Sequence, residues 1–262
     1  MKRLLIISLL VLPLALIAAT AAFGVSWITT CSQSHLNNDD PIVFPAQPGA
    51  SHQHLYVGAR TTNANSTFSS LVLSATTCLM QGDRSGYWEP KPLNYNLHPN
   101  KGSLFYYNVT SSTRVFPDGF KMIVGRAAAT SEATNPGIAS GRIKFKCGPG
   151  SGTETARPPA SCSSGMLVAV VEFPQWWNGR DLDSADHISH MSYSRTSTHT
   201  VLLPRIKAYV RHAVPAGAPI NFTLSSGPYY TYHLDFFDGW VKSDLQRFIN
   251  QCAGSNCGTN PS

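Results

Sequence analysis

Three short segments of the 262-residue chain concentrate the side chains that can bind metals or move protons. Ser51-His52-Gln53-His54 carries two imidazoles two positions apart. Asp183, Asp186, His187 and His190 stand at i, i+3, i+4 and i+7, and His233-Leu234-Asp235 sets an imidazole two positions from a carboxylate. Five of the nine histidines fall in these segments, so their clustering says more than their number. Imidazole nitrogen and carboxylate oxygen ligate zinc, manganese, copper or iron, and two or three His with one Asp leave a position open for water or substrate. Without a metal the same groups serve as general base and acid, because histidine titrates near neutral pH. The expectation is one shared centre. His52, His54, His187, His190 and His233 are the candidate ligands of a divalent metal. His187, His190, Asp186, His233 and Asp235 are the candidate catalytic groups, with Asp183 and Asp186 orienting the imidazoles from behind. Each segment also has a plainer reading: His52 and His54 as hydrogen-bonded residues beside a turn, Asp183 and Asp186 as turn caps, and His233 with Asp235 as a buried structural pair.

The elements that must position these groups are mostly strands. Side chains alternate along a strand, so His52 and His54 share one side, as do His233 and Asp235, with Leu234 turned to the core. The middle segment lines one face if helical, but its Asn, Gly, Asp and Ser suit a loop equally. "IVFP", "HQHLYVGA", "SLFYYNVT", "GFKMIVGRA", "GRIKFKC", "GMLVAVVEFP", "RIKAYVRHAV" and "INFTLSSG" are short, β-branched or aromatic, and bounded by turn residues. They predict a mainly β, single-domain fold of the β-sandwich or jelly-roll type with long disulfide-tied loops. One short C-terminal helix is expected in "GWVKSDLQRFINQC", where Trp240, Leu245, Phe248, Ile249 and Cys252 share a face.

Large aromatics flank the polar segments. Trp88, Trp176, Trp177, Tyr230 and Trp240 are candidate substrate-binding residues, because amphipathic rings beside hydrogen-bonding groups stack on sugar faces. Any single one is more often a core residue. The nucleophile elbow, the phosphate loop, the dinucleotide fingerprint and His-Glu-x-x-His are all absent.

The first residues, Met-Lys-Arg followed by "LLIISLLVLPLALIAAT", predict a secretory leader over 1–21, cleaved after Ala19-Thr20-Ala21 to leave a single secreted domain at 22–262. A retained anchor is the alternative, since the apolar run approaches the roughly 20 residues that span a bilayer. Cys31, Cys78, Cys147, Cys162, Cys252 and Cys257 suggest three disulfides in an exported chain. Proximity favours Cys252 with Cys257 and Cys147 with Cys162, which leaves Cys31 with Cys78. Asn65, Asn108 and Asn221 head glycosylation acceptors, making the protein a candidate glycoprotein. The formal net charge of +6 suits an acidic partner such as an anionic polysaccharide or cell-wall polymer. The basic residues are scattered singly, so no nucleic-acid partner is expected; nor is a membrane partner after cleavage, and a monomer is the expected state.

"DPIVFPAQPGASHQHLYVGA", "SGYWEPKPL", "VFPDGFKMIVG", "VEFPQWWNGRDLDSADHISHMSY" and "LSSGPYYTYHLDFFDGW" follow one another in an order that resembles the secreted family catalogued as domain of unknown function number 1996, common in fungi and actinobacteria. The resemblance runs from about Asp40 to Trp240 and implies an extracellular protein whose His and Asp positions belong to the family's signature. It brings no established reaction. Where the family often carries Cys after "FP-x", this chain has Trp176, so no disulfide pairing is carried over. The functional expectation is a metal-assisted enzyme acting on extracellular polysaccharide, a hydrolase or a lyase. A non-catalytic carbohydrate-binding or wall-associated protein is the rival.

Overall fold

The computed structural model describes residues 25–150 and 152–261. The leader expected over 1–21 lies outside the described residues. Ten strands of five or more residues build two antiparallel sheets: β1 (Trp27–Cys31), β2 (Gln33–Asn37), β3 (His54–Gly58), β4 (Gly86–Pro90), β5 (Ser103–Asn108), β6 (Lys121–Gly125), β7 (Ile143–Cys147), β8 (Met166–Glu172), β9 (Arg205–Ala213) and β10 (His233–Phe237). One sheet runs β1-β5-β9-β8-β7, with the two-residue strand Asn96–Leu97 added beside β9; the other runs β2-β3-β4-β10-β6. The expectation of a mainly β fold with a short C-terminal helix holds.

Alternation along the strands explains how the sheets pack. In β9 every second residue, from Ile206 to His212, is buried, while Arg205, Lys207, Tyr209 and Arg211 face outward. Leu55, Tyr87, Leu234 and Phe236 of one sheet meet Phe105, Phe145, Val171 and Ile206 of the other in a single large core. The second face of the five-stranded sheet is also covered. There Tyr56, Trp88 and Phe237 pack against Ile42 from the β2–β3 connection and Leu71 from the β3–β4 connection. A sheet buried on both faces hides its polar residues unless an opening leads to them.

The helix α1 (Lys242–Cys252) buries Leu245, Phe248, Ile249 and Cys252, with Phe248 against the rings of Trp27 and Trp240. The three expected disulfides form: Cys31–Cys78, Cys147–Cys162 and Cys252–Cys257. Such bridges restrict the unfolded chain, most where the closed loop is long.

Two of the eight expected strands do not form. "IVFP" is a turn, because the Asp40 carboxylate accepts from the amides of Ile42 and Val43 and curls the chain there. "INFTLSSG" forms isolated bridges at Leu224 rather than a continuous strand. The strands β1, β2 and β4 were not anticipated; "GYWEP" in β4 is short, proline-ended and buried throughout, which hides its alternation.

Candidate metal centre

The site forms on the outer face of the five-stranded sheet, around the start of β3 and of β10. Register places Tyr56 opposite Trp88 and Trp88 opposite Asp235, while His54 stands opposite Pro90. His233 precedes Asp235 by two residues and therefore shares its face. His52, just before β3, packs its ring 4.2 Å from that of His54 and 5.1 Å from that of His233. The first and third sequence segments thus meet. At the position paired with His233 stands Gly125, at φ 101°, where a Cβ would lie 2.8 Å from the His233 Cα and 2.4 Å from the Tyr232 carbonyl oxygen. Only glycine lets β6 approach so closely.

The tautomers follow from the backbone. His54 Nδ1 lies 2.9 Å from the Asp39 carbonyl oxygen and His233 Nδ1 lies 3.0 Å from that of Thr231. A carbonyl only accepts, so each Nδ1 carries the hydrogen and each Nε2 is left with a lone pair. Those two Nε2 atoms are 3.3 Å apart. Two lone pairs facing each other repel unless a cation lies between them. An ion held tetrahedrally by bonds of about 2.0–2.1 Å separates its ligand nitrogens by about 3.3 Å, the spacing seen here. The buried Nε2 of His52 has no hydrogen-bond partner and completes the set.

Carboxylates supply the charge. The ligand atoms of His52, His54 and His233 lie within 4.8 Å of one another, as do those of Asp40, His54 and Asp235. Asp235 is fully buried, and neither of its oxygens has a hydrogen-bond partner. Few native groups are left so, and an orphaned carboxylate points to an ion or ligand. Its Oδ2 is 3.8 Å from His233 Nε2. These side chains can hold a metal ion. A third grouping, Cys31, Cys78 and Asp83, cannot do so in the same way, because its sulfurs are joined in a disulfide.

Burial sets the protonation. It lowers His233 to about 3, with His52 adding to the effect, and His52 to about 4. Burial, then the neighbouring imidazoles, push His54 well below the ordinary range. All three are neutral at pH 7, the form that ligates. Burial, then the nearby Asp40, push the Asp235 carboxyl well above the usual carboxylate range, and burial also raises Asp40. Two buried acids that resist ionisation, beside three imidazoles that resist protonation, form a centre short of one cation.

A pocket of about 540 Å³ opens onto this cluster, and Asp40, His52, Asp186, His187 and His233 are among its lining residues. The middle segment therefore reaches the same cavity, as a loop. His187 sits at φ 58°, a left-handed conformation that no helix contains. Its Nδ1 lies 3.0 Å from both Asp183 oxygens, and this hydrogen bond raises its pKa above the ordinary value. The Asp183 carboxylate thus stabilises the charged form of His187 relative to a free imidazole and holds its ring through Nδ1. His190 is not brought to the cluster. It is buried, with Nδ1 against Ser184 Oγ and Nε2 against the Lys121 carbonyl, so it pins the loop to β6. Asp186 accepts from the amides of Ile188 and Ser189 and shapes the same loop.

The aromatic candidates do not line the pocket. Trp88 and Trp240 are fully buried and offer no face to a sugar, Trp240 donating to Tyr107 Oη at 2.9 Å. Trp176 and Trp177 form a two-residue strand in a separate small sheet, and Tyr230 packs on Tyr229; none of the five lines the pocket. Sequence reasoning missed Asp39 and Asp40. Asp39 accepts from His54 and from Tyr56 Oη through its carbonyl and from Gly49 and Ala64 through its carboxylate, tying the covering segment to the sheet. The signal that could have found them is the pair Asp39-Asp40 before Pro41, two turn-forming acids 12 residues ahead of His52.

No curated protein and no solved structure matches the chain. Residues 40–240 match the family described as a domain of unknown function, DUF1996, a span that includes Asp40, the three candidate ligand histidines and Asp235, and the chain belongs to this family.

Proposed function

We propose that the protein is a secreted, divalent-metal-dependent enzyme acting on extracellular polysaccharide, by hydrolysis or by elimination, with the metal held by His52, His54 and His233. The observation that carries this reading is the 3.3 Å approach of two imidazole nitrogens whose lone pairs face each other. A divalent cation at such a site lowers the pKa of bound water and polarises a substrate oxygen. Asp40 and Asp235 balance its charge. His187, held by Asp183 on the wall of the same pocket, donates a proton to the leaving oxygen. The cavity falls within the roughly 300–1,000 Å³ that small-molecule sites occupy, enough for a sugar unit of a longer chain. Because the expected aromatic platform is not at its mouth, the sugar is held by polar groups, Ser51, Ser225, Ser226 and the Arg126 guanidinium. Three disulfides suit the oxidising setting outside a cell.

Elemental analysis of natively purified protein, followed by product release from a polysaccharide panel with and without chelator, tests the proposal. One divalent ion per chain and chelator-sensitive turnover are expected. Turnover by metal-free protein would remove the metal from the mechanism. Metal and tight glycan binding with no product would favour the non-catalytic reading.

A further inference from the structure

A basic hollow lies on the other sheet, on the face turned away from the core. Alternation aims Lys144 and Lys146 of β7, Arg205, Lys207 and Arg211 of β9, and Tyr106 of β5 to this side, with Arg142 just before β7. The register sets Lys207 opposite Tyr106, and Val168 opposite both Arg211 and Lys146. Among the described residues, two carboxylates pair with members of this group of six cations. Glu172 takes Arg142 at 2.8 Å and Arg205 at 2.6 Å, and Glu154 meets Lys144 and Lys207 only at 3.9 and 3.6 Å. Residues that are scattered along the chain thus make one basic surface.

The surface is shaped as well as charged. Tyr106, Lys146, Val168, Tyr209 and Arg211, with Glu154, line a hollow of about 340 Å³. Lys146 is only 5% exposed yet borders this hollow, and the buried Nε of Arg211 has no hydrogen-bond partner. The Tyr106 and Tyr209 rings meet at 4.9 Å, and Lys146 and Lys207 lie 5.1 and 5.4 Å from the Tyr209 ring centre. Positive charge over an aromatic floor matches a sugar ring that bears an anion, with the ring against tyrosine and the anion on Lys and Arg.

We infer that this face binds an acidic polysaccharide, one uronate-type residue entering the hollow and its neighbours running along β7 and β9. This is separate from the pocket reading and stands whether or not the metal centre is catalytic. Three disulfides suit an oxidising setting outside a cell, which favours an extracellular polyanion over a nucleic acid as the partner.

The test is binding of polygalacturonate by the full protein in low salt, measured by calorimetry, beside a neutral glucan and single-stranded DNA. Wild type binds polygalacturonate, binding weakens with added salt because exposed charges are screened, and neutral glucan is not bound. The triple variant Lys144→Gln/Lys207→Gln/Arg211→Gln loses affinity about tenfold or more, while its circular dichroism and metal content stay unchanged. The inference is overturned by no binding in wild type, by unchanged affinity in the folded variant, or by DNA binding more tightly than polygalacturonate. A variant that does not fold is replaced by Lys207→Gln alone, whose side chain is the more accessible of the pair on Tyr209, with a several-fold loss expected and unchanged affinity again overturning the inference.

Discussion

Two histidine–carboxylate groups lie on opposite faces of the same five-stranded sheet, and they differ in whether the protein satisfies the carboxylate. On the inner face Glu89 Oε1 receives His212 Nε2 at 2.7 Å and Oε2 receives the Tyr232 hydroxyl, with both Glu89 and His212 buried in the sandwich. On the outer face Asp235 has no partner for either oxygen, His52 Nε2 has none, and His54 and His233 turn lone pairs toward each other. Each oxygen of the inner carboxylate has a partner, although His212 Nδ1 has none, and the pair does not line the pocket; the outer group borders a cavity. Residue type does not separate a structural pair from a ligand site, since both use buried His and acid. Unfilled valence beside an opening does.

The largest effect belongs to the inner pair. His212→Ala leaves Glu89 buried without its imidazole and is expected to lower stability by about 3–5 kcal/mol, read by urea unfolding, with metal affinity unchanged. If this variant lost metal while staying stable, the division between the two groups would collapse. The outer group should respond in the opposite sense. His52→Ala removes a half-buried candidate ligand. It should weaken metal binding by roughly 100-fold or more, beyond the usual effect of an outer-shell change, while unfolding of the metal-free protein shifts by no more than about 1 kcal/mol. Calorimetric titration with zinc and manganese checks the first, and thermal unfolding in chelator the second.

A third buried acid refines the contrast. Asp83 is fully buried and accepts from the Tyr87 hydroxyl at 2.9 Å, so its partners are neutral groups rather than an imidazole or a cation. Burial outweighs the hydrogen bonds of Ser85 and Tyr87 and raises its pKa to about 6. Below the unfolded pKa of about 3.9 both states hold the proton. As pH rises from about 4 to 6 the unfolded chain releases it first, so the folded state loses stability across that window and the loss is constant above it. Asp83→Asn, which does not ionise, should remove a pH dependence on the order of 2 kcal/mol between pH 4 and pH 7. An identical slope in wild type and variant would assign the pH dependence to other groups.

Much of the site is legible in the order of residues. Period-two alternation puts His233 and Asp235 on one face, and the short spacing of His52 and His54 puts their rings together. The helix face and the pairs Cys147–Cys162 and Cys252–Cys257 also follow from local spacing, and Cys31–Cys78, 47 residues apart, is the pair that remains. Where local signals are ambiguous, partners in the fold decide. His187 and His190 belong to one dense polar loop, yet His190 spends both nitrogens pinning it to β6 while His187 faces the pocket. Trp88 has the residue type of a sugar platform and is a core residue, because its strand is covered on both faces.

The sequence by itself determined which side chains can ligate, which face of each strand they occupy, and that the chain is mainly β with three disulfides, because those properties depend on residue type and on neighbours a few positions away. Only the tertiary structure decided that His54 and His233, 179 residues apart, bring bare nitrogens to 3.3 Å, that Asp40 and Asp235 join them, and that scattered lysines and arginines form one basic face. Strand order and register are set by packing between distant segments, and no local pattern encodes which strand lies beside which.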